Sequence, residues 1–238
     1  MTEPFPRKLY GRRKGPKLSA RKEDLHRTLL PRLALKIVPG ADPRTYFSPL
    51  PGGEVGMQST PGGRIEDVWL EIGFGAGEHL LALARANPAI GLIGAEPYEA
   101  GVAKLLSHMA DDPPANIRIH EGDARDVIAA LPEASLDRVF ILFPDPWPKT
   151  RHHKRRFIQI EMLDQLARVM RPAAELRVAS DDAGYVEWTL ERAMAQGFFR
   201  WTAEGPGDWK SRPADWPKTR YEAKALHGPP AYLRFVRR

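Results

Sequence analysis

From Val68 onward, short apolar runs alternate with longer amphipathic ones, and this alternation constrains the fold more than any other feature of the chain. Strands are expected at 68–72 (VWLEI), 90–96 (IGLIGAE), 116–120 (NIRIH), 136–143 (LDRVFILF) and 174–180 (AELRVAS), with two last strands at 197–202 and 231–238. Helices are expected between them: at 78–87, from Pro97 to about Met109, around Val127–Leu131, over 157–170 and over 181–195. In the 157–170 stretch the helical face is Phe157, Ile160, Leu163, Leu166 and Met170. Strands alternating with helices make a parallel sheet covered on both faces, so the expected class is α/β. In such sheets ligands sit beyond the carboxyl ends of the strands. The segments there are 71–77, 96, 121–124, 143–150 and 180–182, and each carries a carboxylate that packing does not require.

Upstream of the alternation the chain reads differently. Residues 1–22 lack periodicity and read as a flexible basic arm, with eight Lys/Arg against one acid, Glu3. Residues 23–67 read as a helix over 23–36, interrupted at Pro31, followed by a Gly/Pro-rich linker over 39–63. The domain proper spans 68–238. A second basic concentration, five Lys/Arg in 149–156, follows the fourth strand. Two such clusters on an otherwise acidic body point to a polyanion partner, because clustered charge releases counterions that scattered charge does not.

Composition removes several function classes. Hydrophobic content of 42% with 28% charged residues is that of a soluble protein, and no run is long enough to span a membrane. With no cysteine there is no disulfide, no thiolate metal site and no cysteine nucleophile. No apolar segment follows the basic N-terminus, so a secretory signal is not expected and a cytoplasmic location is. His152 and His153 have no third ligand nearby in sequence, so no metal is expected. Nothing suggests an obligatory protein partner.

Gly73, Gly75 and Gly77 in EIGFGAGEH (71–79) lie on the turn from the first strand into its helix, where the backbone can approach a ligand closely. A phosphate-binding P-loop would end in Gly-Lys-Ser/Thr, which is absent. A dinucleotide fingerprint counted from Gly73 would need glycine where Glu78 stands. Glu71 beside the turn disfavours pyrophosphate and suits a cationic cofactor. Glu96, ending the second strand, is placed to accept from ribose hydroxyls. Asp123 after the third strand can accept from an adenine amine, though Glu96 or Asp123 alone reads equally well as a capping acid. Together these acids describe a nucleoside with a positively charged, non-phosphate substituent, which is S-adenosylmethionine.

Glu-Ile-Gly-Phe-Gly-Ala-Gly-Glu (71–78), Phe-Pro-Asp-Pro-Trp (143–147), Arg-His-His-Lys-Arg-Arg (151–156), Ser-Asp (180–181) and Thr-Arg-Tyr-Glu (219–222) together resemble the bacterial tRNA (guanine-N7-)-methyltransferase family. The likeness runs from about residue 68 to 236, and the Pro-Asp-Pro-Trp corner with its basic run is more specific than the glycine loop. It implies a Rossmann-like class I methyltransferase with a seven-stranded, mostly parallel sheet, methylating N7 of a guanosine in the tRNA variable loop. Carried over by position, it makes Glu71, Glu96, Asp123 and Asp145 contacts of the methyl donor, with Asp145 the active-site residue. Lys149, Asp181, Thr219, Arg220, Tyr221 and Glu222 match substrate-binding positions, and Arg151, His152, His153, Lys154, Arg155 and Arg156 match an RNA-contacting stretch. One departure is RPAAEL (171–176), where the family usually has Pro-Gly-Gly.

The chemistry agrees. Guanine N7 has an in-plane lone pair and no proton, so methylation there needs alignment and charge stabilisation rather than a covalent nucleophile. An adenine-amino methyltransferase is the closest alternative, but its Asp-Pro-Pro-aromatic loop differs from Asp145-Pro146-Trp147. A non-catalytic RNA-binding protein on the same fold is the other, and the intact glycine loop and acids argue against it. Trp147 can either stack on the target base or pack within its own corner.

Overall fold

Alternate residues of the first strand face opposite ways, and nearly all of them are buried, as a strand covered on both sides requires. This computed structural model describes residues 9–11, 13–47, 64–217, 222 and 228–238. Its strands are β1 (Asp67–Ile72), β2 (Ile90–Ala95), β3 (Ile117–His120), β4 (Leu136–Leu142), β5 (Met170–Ser180), β6 (Phe199–Trp201) and β7 (Ala231–Arg237). They form one sheet in the order β3-β2-β1-β4-β5-β7-β6, parallel from β3 through β5, with β7 antiparallel to both neighbours. This is the α/β sheet expected from the alternation.

Helices cover both faces. On one, α2 (Leu30–Leu33), α3 (Glu78–Ala86) and α4 (Glu99–His108) share an apolar cluster with Trp69, Leu92 and Phe140. On the other, α5 (Ala124–Ala130), α6 (Ile160–Val169) and α7 (Ala183–Gln196) pack with Val68, Leu70, Val139, Ile141 and Val178. The strand order reverses at β1, with β2 added on one side and β4 on the other, so a crevice opens beyond the carboxyl ends of these parallel strands.

Several boundaries differ from the expected ones for identifiable reasons. A first helix, α1 (Ala20–Thr28), starts inside the stretch read as arm, and the break near Pro31 separates it from α2. Pro97 lies outside α4, because Tyr98 is its N-cap and the Tyr98 N–H donates to Glu96 Oε1 at 2.9 Å. Capping by Asp123 starts α5 three residues before Val127. Strand β5 begins at Met170, which pairs with Leu136, and an irregularity separates that pair from the main register at Arg138 and Glu175. The helical run therefore ends at Val169, and Ile160, assigned to its apolar face, is exposed while Met162 is buried.

Candidate active site

The turn after β1 follows from its glycines. Gly73, Gly75 and Gly77 have φ of 72°, 57° and 73°, left-handed values that side chains resist. A Cβ at Gly73 would meet nothing within 4 Å, so the turn presents open backbone on that side. Glu96 pins the turn to β2: its Oε2 accepts from Gly75 N–H at 2.7 Å while Oε1 holds Tyr98. Burial pushes the Glu96 carboxyl above its ordinary range; the two N–H donors oppose this, and Asp145 and Glu71 reinforce it by repulsion. An acid so placed gains from a neighbouring cation.

Glu71 is 3% exposed and accepts from His79 Nδ1 at 2.8 Å. His79, in the first turn of α3, sets its ring edge against Phe140 with centroids 4.9 Å apart. Sequence reasoning missed this histidine; its signal was a position on the apolar face of the first turn of α3, directly across the glycine turn from the strand-end acid. Asp123 behaves as a capping acid, its Oδ1 accepting from Arg125 N–H at 3.0 Å while the Arg125 guanidinium spans both carboxylate oxygens.

Beyond β4 the chain turns sharply at Phe143 and Trp147, with φ of 50° and 44°, values rare for non-glycine residues and typical of functional sites. Between them Asp145 is exposed and has no hydrogen-bond or ion-pair partner among the described residues. The arm lies across this corner. A Cβ on Gly11 would sit 3.6 Å from Asp145 Oδ2, and Tyr10 meets Trp147 edge-on at 6.4 Å. The Arg155 guanidinium lies 5.1 Å from the Tyr10 ring centre and 4.9 Å from that of Trp147. Farther along, Arg13 O accepts from Glu99 N–H at 3.1 Å. The arm thus runs from the end of β4 to the start of α4, over the crevice. Trp147 is half-buried in this cluster.

In the basic run Lys149 precedes a 3-10 helix (Thr150–Arg155), from which Arg151 and Lys154 are exposed while His152, His153 and Arg155 are partly covered. His152 is held below its ordinary pKa, by desolvation and then by the charges of Arg155, Arg151, Lys149 and Lys154. Arg156 is 4% exposed, and its guanidinium donates to protein carbonyls.

Asp181 follows β5 and is partly buried; its neighbour Asp182 caps α7, accepting from Tyr185 N–H at 2.7 Å. Glu222 accepts from the Tyr232 hydroxyl at 2.7 Å and pairs with Arg212 Nε at 3.1 Å. Thr219, Arg220 and Tyr221 lie outside the described residues. Among the described residues no cluster of His, Asp and Glu is placed to hold a metal ion, and no helix is long and apolar enough to cross a membrane.

The open glycine backbone, with Glu71, Glu96 and Asp123 at the ends of successive strands and Asp145 near enough to Glu96 to repel its charge, suits a cationic nucleoside and repels phosphate. Fold and site together define a Rossmann-like methyltransferase. A family model described as a putative methyltransferase matches residues 66–231. A tRNA (guanine-N(7)-)-methyltransferase of Rhodospirillum rubrum is 50% identical, over 97% of this chain and 88% of that protein. One of Jannaschia sp. is 44% identical, over 100% of this chain and 99% of that protein. The chain belongs to the tRNA (guanine-N(7)-)-methyltransferase family. Among solved structures, the 16S rRNA methyltransferase KamB is 18% identical with a TM-score of 0.47, covering 72% of this chain and 88% of that one.

Proposed function

We propose that the protein transfers the methyl group of S-adenosylmethionine to N7 of a guanosine in the variable loop of tRNA. The observation that carries the reading is Asp145, an exposed carboxylate without a partner among the described residues, held in a left-handed corner where its charge repels that of Glu96, the acid that pins the glycine turn. The bound cofactor supplies a methyl group already activated on a sulfonium.

The chain's own residues then have two tasks. Glu71 and Glu96 hold the nucleoside and its cationic end over the backbone of Gly73, Gly75 and Gly77, and Asp123, tied to Arg125, lines the adenine side as a hydrogen-bond acceptor rather than a free charge. Asp145 accepts from the cofactor amine or the guanine N–H edge and offsets the positive charge that develops on the purine. No general base is needed, since N7 carries no proton. Lys149, Asp181 and the segment of Thr219, Arg220, Tyr221 and Glu222 position the substrate, while Arg151 and Lys154 meet phosphates from the exposed side of the 3-10 helix. Such an enzyme acts where tRNA is, in the cytoplasm.

Incubating unmodified tRNA with labelled S-adenosylmethionine, followed by nucleoside analysis, tests the reading. Label is expected in 7-methylguanosine, and label in any other nucleoside would sink it. Asp145→Ala is expected to retain the fold and lose nearly all turnover.

A further inference from the structure

We propose that Arg156 is a positioning residue that sets the conformation of the Asp145 corner and takes no part in binding RNA phosphate. The inference rests on the reading of Asp145 as the active-site carboxylate.

The last cation of the basic run is unlike Arg151 and Lys154. Its side chain turns inward, where Nε donates to Pro146 O at 2.8 Å and Nη1 to Gly184 O at 3.2 Å. The guanidinium carbon lies 5.4 Å from the Tyr185 ring centre and 4.8 Å from that of Trp188. Both aromatics are themselves fixed by one residue: Ile158 N–H donates to the Tyr185 hydroxyl at 3.4 Å, and Trp188 Nε1 donates to Ile158 O at 2.6 Å. Arg156 is therefore held rigidly before any substrate arrives.

What it grips is the peptide plane between Pro146 and Trp147. That plane precedes the left-handed Trp147 and follows Asp145 by one residue. Within the corner, the rings of Pro144 and Pro146 fix two φ angles, and Pro146 biases Asp145 toward an extended conformation. The Pro146 carbonyl can still rotate, and the bond from Arg156 holds it. Gly184 O ties the same guanidinium to the first turn of α7, so the corner is referenced to the helix following β5. A planar, forked donor between two rings suits this position, whereas lysine would supply a charge without the fork or the stacking.

The test measures kcat, KM for tRNA, the salt dependence of tRNA affinity and thermal unfolding for wild type, Arg156→Ala, Arg156→Lys and Lys154→Ala. A displaced catalytic group costs on the order of 100-fold in rate per ångström. Arg156→Ala is accordingly expected to lower kcat by about 10- to 100-fold with an unchanged salt slope, and added methylguanidinium to restore part of the rate. Arg156→Lys keeps the charge and is expected to share the kcat loss, whereas Lys154→Ala should flatten the salt slope by about one unit. A salt slope lowered by about one in Arg156→Ala would overturn the proposal, as would a wild-type kcat. If Arg156→Ala does not unfold cooperatively, Arg156→Lys decides by the same two readouts. Failure of the Asp145 reading would be seen separately, as near-wild-type turnover in Asp145→Ala.

Discussion

Replacing Gly101 with alanine sets two opposed effects against each other at one atom. Gly101 sits in the first turn of α4, and alanine in a helix is favoured over glycine by about 1 kcal/mol. The new Cβ, however, would lie 2.5 Å from Gly75 O, 3.2 Å from Gly75 C and 3.3 Å from Glu96 Cγ. Carbon–oxygen contacts close at about 3.3 Å, so α4 and the glycine turn must separate by about 0.8 Å. Neither neighbour yields easily: Gly75 O is backbone, and Glu96 is clamped by N–H groups at 2.7 and 2.9 Å. Overpacking of this kind costs about 1–3 kcal/mol, leaving a net destabilisation of about 0–2 kcal/mol after the helix gain. At roughly 2–4 °C per kcal/mol, Tm falls by up to about 8 °C. The same displacement moves the backbone that receives the nucleoside, and affinity is expected to drop at least about tenfold, or 1.4 kcal/mol. Differential scanning calorimetry gives the first quantity and titration with S-adenosylhomocysteine the second. A variant more stable by the full helix gain that binds like wild type would refute the close approach and the pinning role assigned to Glu96.

Three further substitutions have signs that follow from the structure. Ala173 is exposed with φ of 67°, so Ala173→Gly relieves a left-handed strain of about 1–2 kcal/mol against a smaller entropy loss; Tm should rise by about 1–4 °C, and a fall would refute the strain. Removal of the partner of a buried carboxylate makes His79→Ala costly by about 1–3 kcal/mol in urea unfolding, and cofactor affinity should fall with it. Glu175 joins Arg138, Arg177 and Arg234 across three strands, so Glu175→Gln should cost about 3 kcal/mol. Burial raises the Glu175 carboxyl, but Arg234, Arg177 and Arg138 outweigh it and hold the group below its ordinary pKa. With the folded value depressed, its stabilisation is present above the unfolded pKa and is lost as pH falls through the folded one. Wild-type urea midpoints between pH 7 and pH 3 should therefore fall more steeply than those of Glu175→Gln.

Much of the fold was legible because strand and helix periods are local. VWLEI can bury both faces only as a central strand, and glycines 73, 75 and 77 meet backbone angles that side chains resist. The Pro-Asp-Pro-Trp corner announced its stiffness through prolines. Boundaries were harder, because they depend on which distant group satisfies an end. Met170 joined a strand by pairing with Leu136, and Ile160 lost its place in the core when α6 settled with Met162 inward.

Charge was the least legible property. By sequence alone, Arg155 and Arg156 are two equal members of a basic run; in three dimensions Arg155 lies against Tyr10 and Trp147, while Arg156 is bonded to a carbonyl 28 residues away. Asp123 and Asp145 likewise look like similar strand-end acids, yet one is held by Arg125 and the other stands exposed beside the arm. The sequence by itself determined the order of strands and helices, the glycine turn and the set of acids at the strand ends, since these follow from spacing and backbone sterics. Only the tertiary structure decided which charges remain available to a ligand, because a charge is neutralised by whatever groups the folded chain brings within about 3 Å, and sequence separation does not limit that set.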